Sequence, residues 1–458
     1  MRSPIRGRRS RLLTAVAGGL ALLTLTAACS GGSSSGAGAG SGGTTKTVDM
    51  AAELKKPATI EFWSWVDGIQ SEVALFEKKY PNIKVKVVNA GQPTAEYPKL
   101  RTALKAGSGA PDVVQLEAHE VSSFTITKSL LDLAPYGANA IKSKFQPWVW
   151  GQVAQGSSVY AIPQDTGPMG MLYRKDIFDK YHIKVPTTWA EFQTAADKLH
   201  KADPAAYLTN MSPSNGAVFS GLLWQAGSRP FKTNSATSFN VNIADAPAKK
   251  VSDYWSGLVK SGTVSTDADF TDQWYRGLAS GKYATWLTAA WGPMFLQGTA
   301  KGTSGKWRVA PLPQWSAGES VSGNTGGSTS AVVRSSKYPA AAAAFAEFLN
   351  SDPTSAKMLA SKQSLFPATT ALLDDKTFLD QSLPFFGGQK VNQVFSDISK
   401  TVKTDFTWSP VQDYVFSDFN DTVGKAMTSK ADLTTALTQW QDSVTTYAKQ
   451  QGFTVGGS

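Results

Sequence analysis

Gln164 and Asp165 are the residues whose type and position first suggest chemistry in this chain. They lie within YAIPQDTGPMGMLYRKD (160–176), between two apolar runs, Tyr160-Ala161-Ile162 and Met171-Leu172-Tyr173. Pro163 has no N–H to give to a ladder, and Gly167, Pro168 and Gly170 allow a sharp change of direction. The pattern predicts a strand that leaves one lobe, crosses a cleft and continues into a second lobe. An amide and a carboxylate at such a crossing are candidate ligand groups, because binding sites tend to form where a chain passes between rigid bodies. The same residues also read as a plain polar loop between two strands.

The elements that would position them begin near Pro57. Thr59 to Trp65 is rich in β-branched and aromatic residues and predicts a strand. Ile69, Val73, Phe76 and Tyr80 then share one helical face, and Pro81 ends it. Ile83 to Val88 alternates with the two-residue period of a strand, Tyr97, Leu100 and Leu104 mark a second helix, and Val113-Val114 open a third strand. Alternating strands and helices predict an α/β lobe with a largely parallel sheet, whose ligands bind beyond the carboxyl ends of its strands. That rule brings Trp65 and Asp67, after the first strand, towards Glu117 and His119, after the third. Trp65 also reads as a core aromatic, and Glu117 with His119 as a solvated helix start.

Further along, Thr188 and Glu191 form a capping box ahead of a helix bearing Trp189, Phe192, Ala196 and Leu199. Phe219–Ala226 and Ala248–Lys260 predict two more helices, with Trp224 in the core. Gly281 to Leu287 returns to strand, and Ala289 to Pro293 forms a turn presenting Trp291. Trp307 to Pro311 is expected to lead back across. Gly323 to Ser330 is a glycine-rich loop, followed by a strand and an alanine-rich helix begun by Pro339. The helix over 431–451 places Leu433, Leu437, Trp440, Val444 and Tyr447 on one stripe, with Trp440 as core.

A chain of 458 residues, 41% hydrophobic, suits two lobes with appendages. Fourteen Trp exceed what a core alone ordinarily uses, which favours aromatic faces at a site. Half of the formal charge of +10 sits in Arg2, Arg6, Arg8, Arg9 and Arg11, so the body makes no case for nucleic-acid binding. Its three histidines, His119, His182 and His200, are far apart and lack ligand spacing, so no metal and no cofactor are expected.

The first 28 residues have a basic start, an apolar run from Leu12 to Leu25 and small residues at the end, the three parts of a signal peptide. Cys29, the only cysteine, stands where that segment ends, and the site resembles a bacterial lipobox in which the cysteine is lipidated. Thr26 departs from the Leu usual there. Arg8-Arg9 suggests twin-arginine export, Arg11 disfavours it, and both export routes stay open. Residues 29–56 are expected to be a lipidated Cys and a Gly/Ser linker holding the body off a membrane. With no second cysteine there is no disulfide, and stability must come from core burial.

Four stretches recur in a familiar order: EFWSW with FEKKYPNIKV; YPKLRTALKAGSGAPDVVQLE; YAIPQDTGPMGMLYRKDIFDKYHIKVPTTWAEF; and GKYATWLTAAWGP with WRVAPLP and GGSTSAVV. With LFPAT at 365–369 and the last helix, they resemble the family-1 extracellular solute-binding proteins of ABC importers, the maltose-binding type. The resemblance runs over roughly residues 57 to 452, and it lies in order and spacing rather than in any one motif. It implies an α/β, two-lobed periplasmic-binding-protein clamshell, type II-like, with a multi-crossing hinge. Lobe one is expected at 57–163 and 308–350, and lobe two at 166–307 and 355–458.

Carried over by position, the crossing-segment contact of the family falls on Asp165, with Gln164 beside it. The aromatic contact falls on Trp291, the glycine-loop contact on Asn324, Gly326 and Gly327, and the first-strand contacts on Trp65 and Asp67. The third-strand contact falls on Glu117 or His119, and Trp408, before Pro410, is expected to be a second aromatic wall. The resemblance implies a monomer that binds a carbohydrate, mono- or oligosaccharide, and delivers it to ABC permease subunits. It would sit outside the cytoplasmic membrane, on the lipid of Cys29. Flat rings suit the C–H faces of a sugar, and carboxylates and amides suit its hydroxyl rim.

Other classes remain. A lipid-anchored glycoside hydrolase would need two carboxylates about the scissile bond, for which Asp165 and Glu117 are the available pair, but their spacing in sequence specifies nothing. A glycerol phosphoester would call for clustered Arg or Lys, and Arg174 and Arg308 cluster with no other candidate. A peptide ligand, and a sensor or adhesin using the same clamshell, are further alternatives.

Overall fold

The computed structural model of the protein describes residues 47–457. The leader, Cys29 and the Gly/Ser tract as far as Lys46 lie outside the described residues. Eight strands build the two main sheets: β1 Ala58–Trp63, β2 Ile83–Val88, β3 Val113–Glu117, β4 Ile162–Pro163, β5 Met169–Arg174, β6 Thr285–Ala289, β7 Trp307–Pro311 and β8 Ser328–Val332.

The first lobe holds a five-stranded sheet in the order β2-β1-β3-β8-β4. Strands β1, β2 and β3 run parallel, as the strand–helix alternation predicts, whereas β8 pairs antiparallel with both β3 and β4. Ile60, Phe62, Val113, Val114 and Leu116 are fully buried, since helices cover the sheet. The helix Pro339–Ser351 lies against it by presenting alanines, whose small side chains let its backbone approach. Its Phe345 ring meets Phe62 and Phe76 edge-on, each at 5.2 Å. Pro163 does not stop the ladder. It ends the short edge strand β4, and the next residue, Gln164, resumes by donating its N–H to the Ser328 carbonyl at 2.8 Å.

The second lobe is built on an antiparallel sheet, β6-β5-β7. Alternation along β5 sends Met169 and Met171 into one core and Leu172 into another, so both faces of this sheet are buried. The helix Trp189–Ala202 starts from the expected capping box of Thr188 and Glu191 and packs Trp189 and Phe192 into the larger core. The tryptophan count is explained here rather than by a ligand. Of the fourteen, only Trp65, Trp291 and Trp315 escape burial. Buried indoles find acceptors: Trp189 donates to Gln225, Trp224 to the Lys403 carbonyl, Trp274 to Asn210 and Trp440 to the Val415 carbonyl.

Three segments cross between the lobes side by side: 164–168, 323–327 and 365–368. The Thr325 N–H donates to the Gly167 carbonyl at 2.9 Å, the Met169 N–H to Gly323 at 3.0 Å, and the Thr166 N–H to Phe366 at 3.0 Å. The crossing read from Gln164 onward is therefore one member of a hydrogen-bonded ribbon.

Several boundaries differ from the sequence expectation. Trp307–Pro311 does not lead back to lobe one: it pairs along its whole length with β5, and the chain rejoins the first sheet only at Ser328. Non-local antiparallel pairing leaves no mark in the local sequence. The helix Pro353–Ser361 packs with the first lobe's helices, and Val402, Phe406 and Trp408 join the first core. The body also begins before Pro57. Val48 donates its N–H to the Pro135 carbonyl at 2.9 Å, and the short helix Met50–Glu53 helps set Met50 and Leu54 against the first core.

Candidate functional site

The strand register assembles the floor of the cleft. Ser328 lies opposite Glu117 in the β3–β8 pair, and its N–H donates to the Asp165 carboxylate at 3.1 Å. Three segments distant in sequence thus meet at one end of the first sheet. Burial pushes the Asp165 carboxyl up to about 6, and the negative charge of Glu117 pushes the same way. The glycine loop fits tightly beneath. Gly327 has φ +93°, and a Cβ there would come within 2.9 Å of the Asp165 carbonyl oxygen and 3.0 Å of Thr166 Cα. A Cβ on Gly326 would stand 3.0 Å from the Trp291 indole nitrogen.

The first-lobe wall is Trp65. Gln115, itself buried in β3, accepts from Ser64 Oγ at 2.7 Å and from the Trp65 N–H at 3.3 Å, and so holds the loop that presents the ring. Tyr97 stands edge-on to Trp65 at 6.3 Å. Its hydroxyl donates to Glu117 Oε2 at 3.4 Å and accepts from the Glu117 N–H at 2.9 Å, which orients that carboxylate. His119 Nε2 lies 3.6 Å from Glu117 Oε2 and 3.8 Å from Glu120 Oε1. Behind it, burial raises the pKa of Glu120, which Arg101 meets from the other side.

The second-lobe wall is Trp291. It stands at the start of the helix Gly292–Thr299, and its Nε1–H donates to the Thr325 carbonyl at 2.9 Å. Trp286 and Phe295 brace it edge-on at 5.8 and 5.7 Å. Between the walls lies a cleft of about 650 Å³.

Of the residues predicted from sequence, Trp65, Asp67, Glu117, His119, Asp165, Trp291, Gly326 and Gly327 line this cleft. Gln164, Asn324 and Trp408 do not. The Gln164 side chain is buried. Asn324 is a strut within the hinge ribbon: it accepts from the Gly167 N–H and donates to the Gly326 carbonyl, both at 2.9 Å. Trp408 is enclosed by Trp224, Phe406, Phe416 and His119, donates to Gln152, and its exposed edge faces a separate groove. It supports His119 from behind rather than forming a wall.

Sequence reasoning missed Phe270, Met294, Phe295, Gln92 and Gln363, which also line the cleft. Met294 and Phe295 were within reach, since they follow Trp291 on the first turn of its helix. Phe270 carried no local signal. Among the described residues no group of three or more His, Cys, Asp or Glu is placed to hold a metal, and no helix is long and apolar enough to cross a membrane.

Chemically the cleft offers two aromatic walls, half-buried carboxylates on its floor and one cationic side chain, Lys362. Comparison with known proteins gives the family and the fold. The family described as bacterial extracellular solute-binding protein matches residues 63–356. The chain is 23% identical over 304 residues to the arabinooligosaccharide-binding protein of Bacillus subtilis, covering 63% of this chain and 68% of that one. Among solved structures it superposes with a TM-score of 0.75 on an ABC transporter-associated binding protein from B. animalis subsp. lactis in complex with β-1,6-galactobiose. That pair is 32% identical over 87% of this chain and 100% of the other. The galacto-N-biose-/lacto-N-biose I-binding protein of Bifidobacterium longum, solved with lacto-N-biose, gives the same TM-score at 28% identity, covering 87% and 99%.

Proposed function

The chain belongs to the bacterial extracellular solute-binding proteins, and from that membership we propose that it captures a neutral saccharide between its lobes and delivers it to the permease of an ABC importer. The observation that supports this most is the pairing of Trp65 and Trp291 as walls of one cleft floored by Glu117 and Asp165. A pyranose has apolar C–H faces and a hydroxyl rim. The rings take the faces, and the carboxylates accept from hydroxyls that would otherwise lose their water. Relatives in complex with β-1,6-galactobiose and lacto-N-biose make β-linked galactosides the first ligands to try.

Binding uses no chemistry. Ligand touches both walls only when the lobes approach, so it shifts the population towards the closed form, which the permease then reads. The three-stranded ribbon at 164–168, 323–327 and 365–368 is the hinge about which this happens. The family binds solutes and does not transform them. The carboxylate pair considered for glycoside hydrolysis, Glu117 and Asp165, meets at one end of the first sheet, where Ser328 lies opposite Glu117 and donates its N–H to Asp165. A phosphoester is disfavoured by a floor of carboxylates with only Lys362 nearby. The body works outside the cytoplasmic membrane as a monomer. Cys29, beyond the described residues, supplies the lipid that keeps it there.

Small-angle scattering tests the capture step. A binding saccharide should shrink the radius of gyration of the purified chain, and glycerol phosphoesters should not. A radius unchanged at saturating saccharide would remove lobe closure from the account.

A further inference from the structure

A groove of about 760 Å³, larger than the cleft of about 650 Å³, opens beside Trp408. His119 lines the cleft and Trp408 lines the groove, and their rings meet edge-on at 5.7 Å, so this pair divides the two cavities. Both lobes contribute to the groove. The first lobe supplies the helix Val121–Ile126 and the turn after Ala154–Gln155. The second supplies Lys232 to Ala236, from the hairpin of Phe231–Ser235 and Ser238–Val241. Phe231, Phe239 and Val241 anchor that hairpin in the second core.

The base of the groove is apolar. Phe406 and Trp408 meet edge-on at 4.9 Å and are nearly buried, and half-buried Ile126 and Tyr160 also line it. Its charge is of one sign. Lys128, Lys232 and Arg334 line it, all three exposed, and no Asp or Glu does so among the described residues. The Arg334 N–H donates to the Ser129 carbonyl at 2.8 Å and Leu130 bridges Val333, so Lys128 and Arg334 rise from neighbouring backbones on the first-lobe rim. Lys232 comes from the second lobe. Among the described residues none of the three makes an ion pair. Asp405, next in sequence to Phe406, is engaged by Arg229.

The cleft is the reverse: Asp67, Glu117 and Asp165 line it with Lys362. A concave surface bearing one sign of charge over a low-dielectric base concentrates counter-ions of the other sign. The groove has no carboxylate to accept from the hydroxyls of a sugar, so the two cavities suit different ligands.

We propose that this groove is a second ligand site, separate from the cleft, which takes a small amphipathic anion. The apolar body of the ligand packs on Ile126, Tyr160 and the edges of Phe406 and Trp408, and its negative group is held by the rim cations Lys128, Arg334 and Lys232. The site does not depend on what fills the cleft.

Anilinonaphthalenesulfonate, fused and single rings with one sulfonate, is the probe, and phenylnaphthylamine, the same rings without the sulfonate, is the neutral control. Fluorescence titration of the purified chain should show saturable binding of the sulfonate. Lys232→Gln should weaken it roughly three-fold, and Lys128→Gln, Lys232→Gln and Arg334→Gln combined should weaken it roughly ten-fold or more. The three positions are exposed, and a melting curve confirms folding of each variant. Added salt should weaken binding to the parent more than to the combined variant. Trp291→Ala should leave sulfonate affinity unchanged, since Trp291 lines the cleft and not the groove. Equal affinity in the parent and the combined variant, or equal affinity for the sulfonate and the neutral amine, would overturn the site. Loss of binding in Trp291→Ala would put the probe in the cleft and overturn it as well. Binding of the chain to phosphatidylglycerol vesicles, with none of the free sulfonate, would give these cations to a membrane surface instead. No readout here uses a saccharide, so failure of this site and failure of the saccharide reading are told apart.

Discussion

The indole N–H of Trp291 donates to the carbonyl of Thr325 at 2.9 Å, so the aromatic wall of the second lobe is bonded directly to a strand of the hinge. The residue that would stack on ligand and the segment about which the lobes turn are thereby one mechanical unit. Replacing Trp291 with Ala should weaken saccharide binding by about 2–4 kcal/mol, the range of a hot-spot truncation. Trp291→Phe keeps a ring and loses the bond, and it should retain the larger part of the affinity. Calorimetric titration of both variants checks this.

Gly327 is fixed by space as well as by its φ of +93°. Its Cβ position is 2.9 Å from the Asp165 carbonyl oxygen and 3.0 Å from Thr166 Cα, both backbone atoms that no rotamer can move. Gly327→Ala should cost about 1–3 kcal/mol of stability, seen as a lowered Tm, and should loosen the crossing that carries Asp165. Gly298, around which nothing stands within 4 Å, is the control position where Ala should be tolerated.

Asp165 gives the fold a pH dependence of defined sign. Its carboxyl is raised from 3.8 to about 6 in the folded chain, mainly by burial. Between those values the folded state holds a proton that the unfolded chain has released, so this group makes stability fall as pH rises from about 4 to about 6. Asp165→Asn removes that contribution and should raise the melting temperature at pH 7 relative to the parent while flattening the decline. Saccharide affinity should move the opposite way in the parent, strengthening as pH rises through 6, because the ionised carboxylate is the better acceptor. Melting and titration series across pH 4–8 check both.

Trp408 should separate from Trp291 by its phenotype. It is enclosed by Trp224, Phe406, Phe416 and His119, so Trp408→Ala should cost about 3–5 kcal/mol of stability as a core cavity. Binding should change only through His119. Denaturant unfolding against ligand titration distinguishes the two tryptophans.

The parts of this architecture written in local pattern were legible in the sequence. The crossing at 164–168 announces itself by Pro163, Gly167 and Pro168, and the helix after Thr188 by its capping box. Trp65, Glu117, Asp165 and Trp291 followed from their places after strands and turns. What depends on distant partners was not legible. Trp307–Pro311 reads like any strand, and only its pairing with Met169–Arg174 puts it in the second lobe. Trp291 and Trp408 both precede a nearby proline, and only packing shows that one ring faces the cleft and the other is core. Asn324 looks like a ligand amide in a glycine loop, yet both ends of its side chain are used on the backbone of the hinge. Phe270 stands at a left-handed position with no glycine or asparagine to mark it.

The most direct test of capture without chemistry is a calorimetric titration of the purified chain with neutral β-galactosides, with the ligand recovered after prolonged incubation. The account predicts saturable one-to-one binding, lost in Trp291→Ala, and ligand returned unchanged. Cleaved ligand, or saturable binding of a glycerol phosphoester with none of any saccharide, would contradict it.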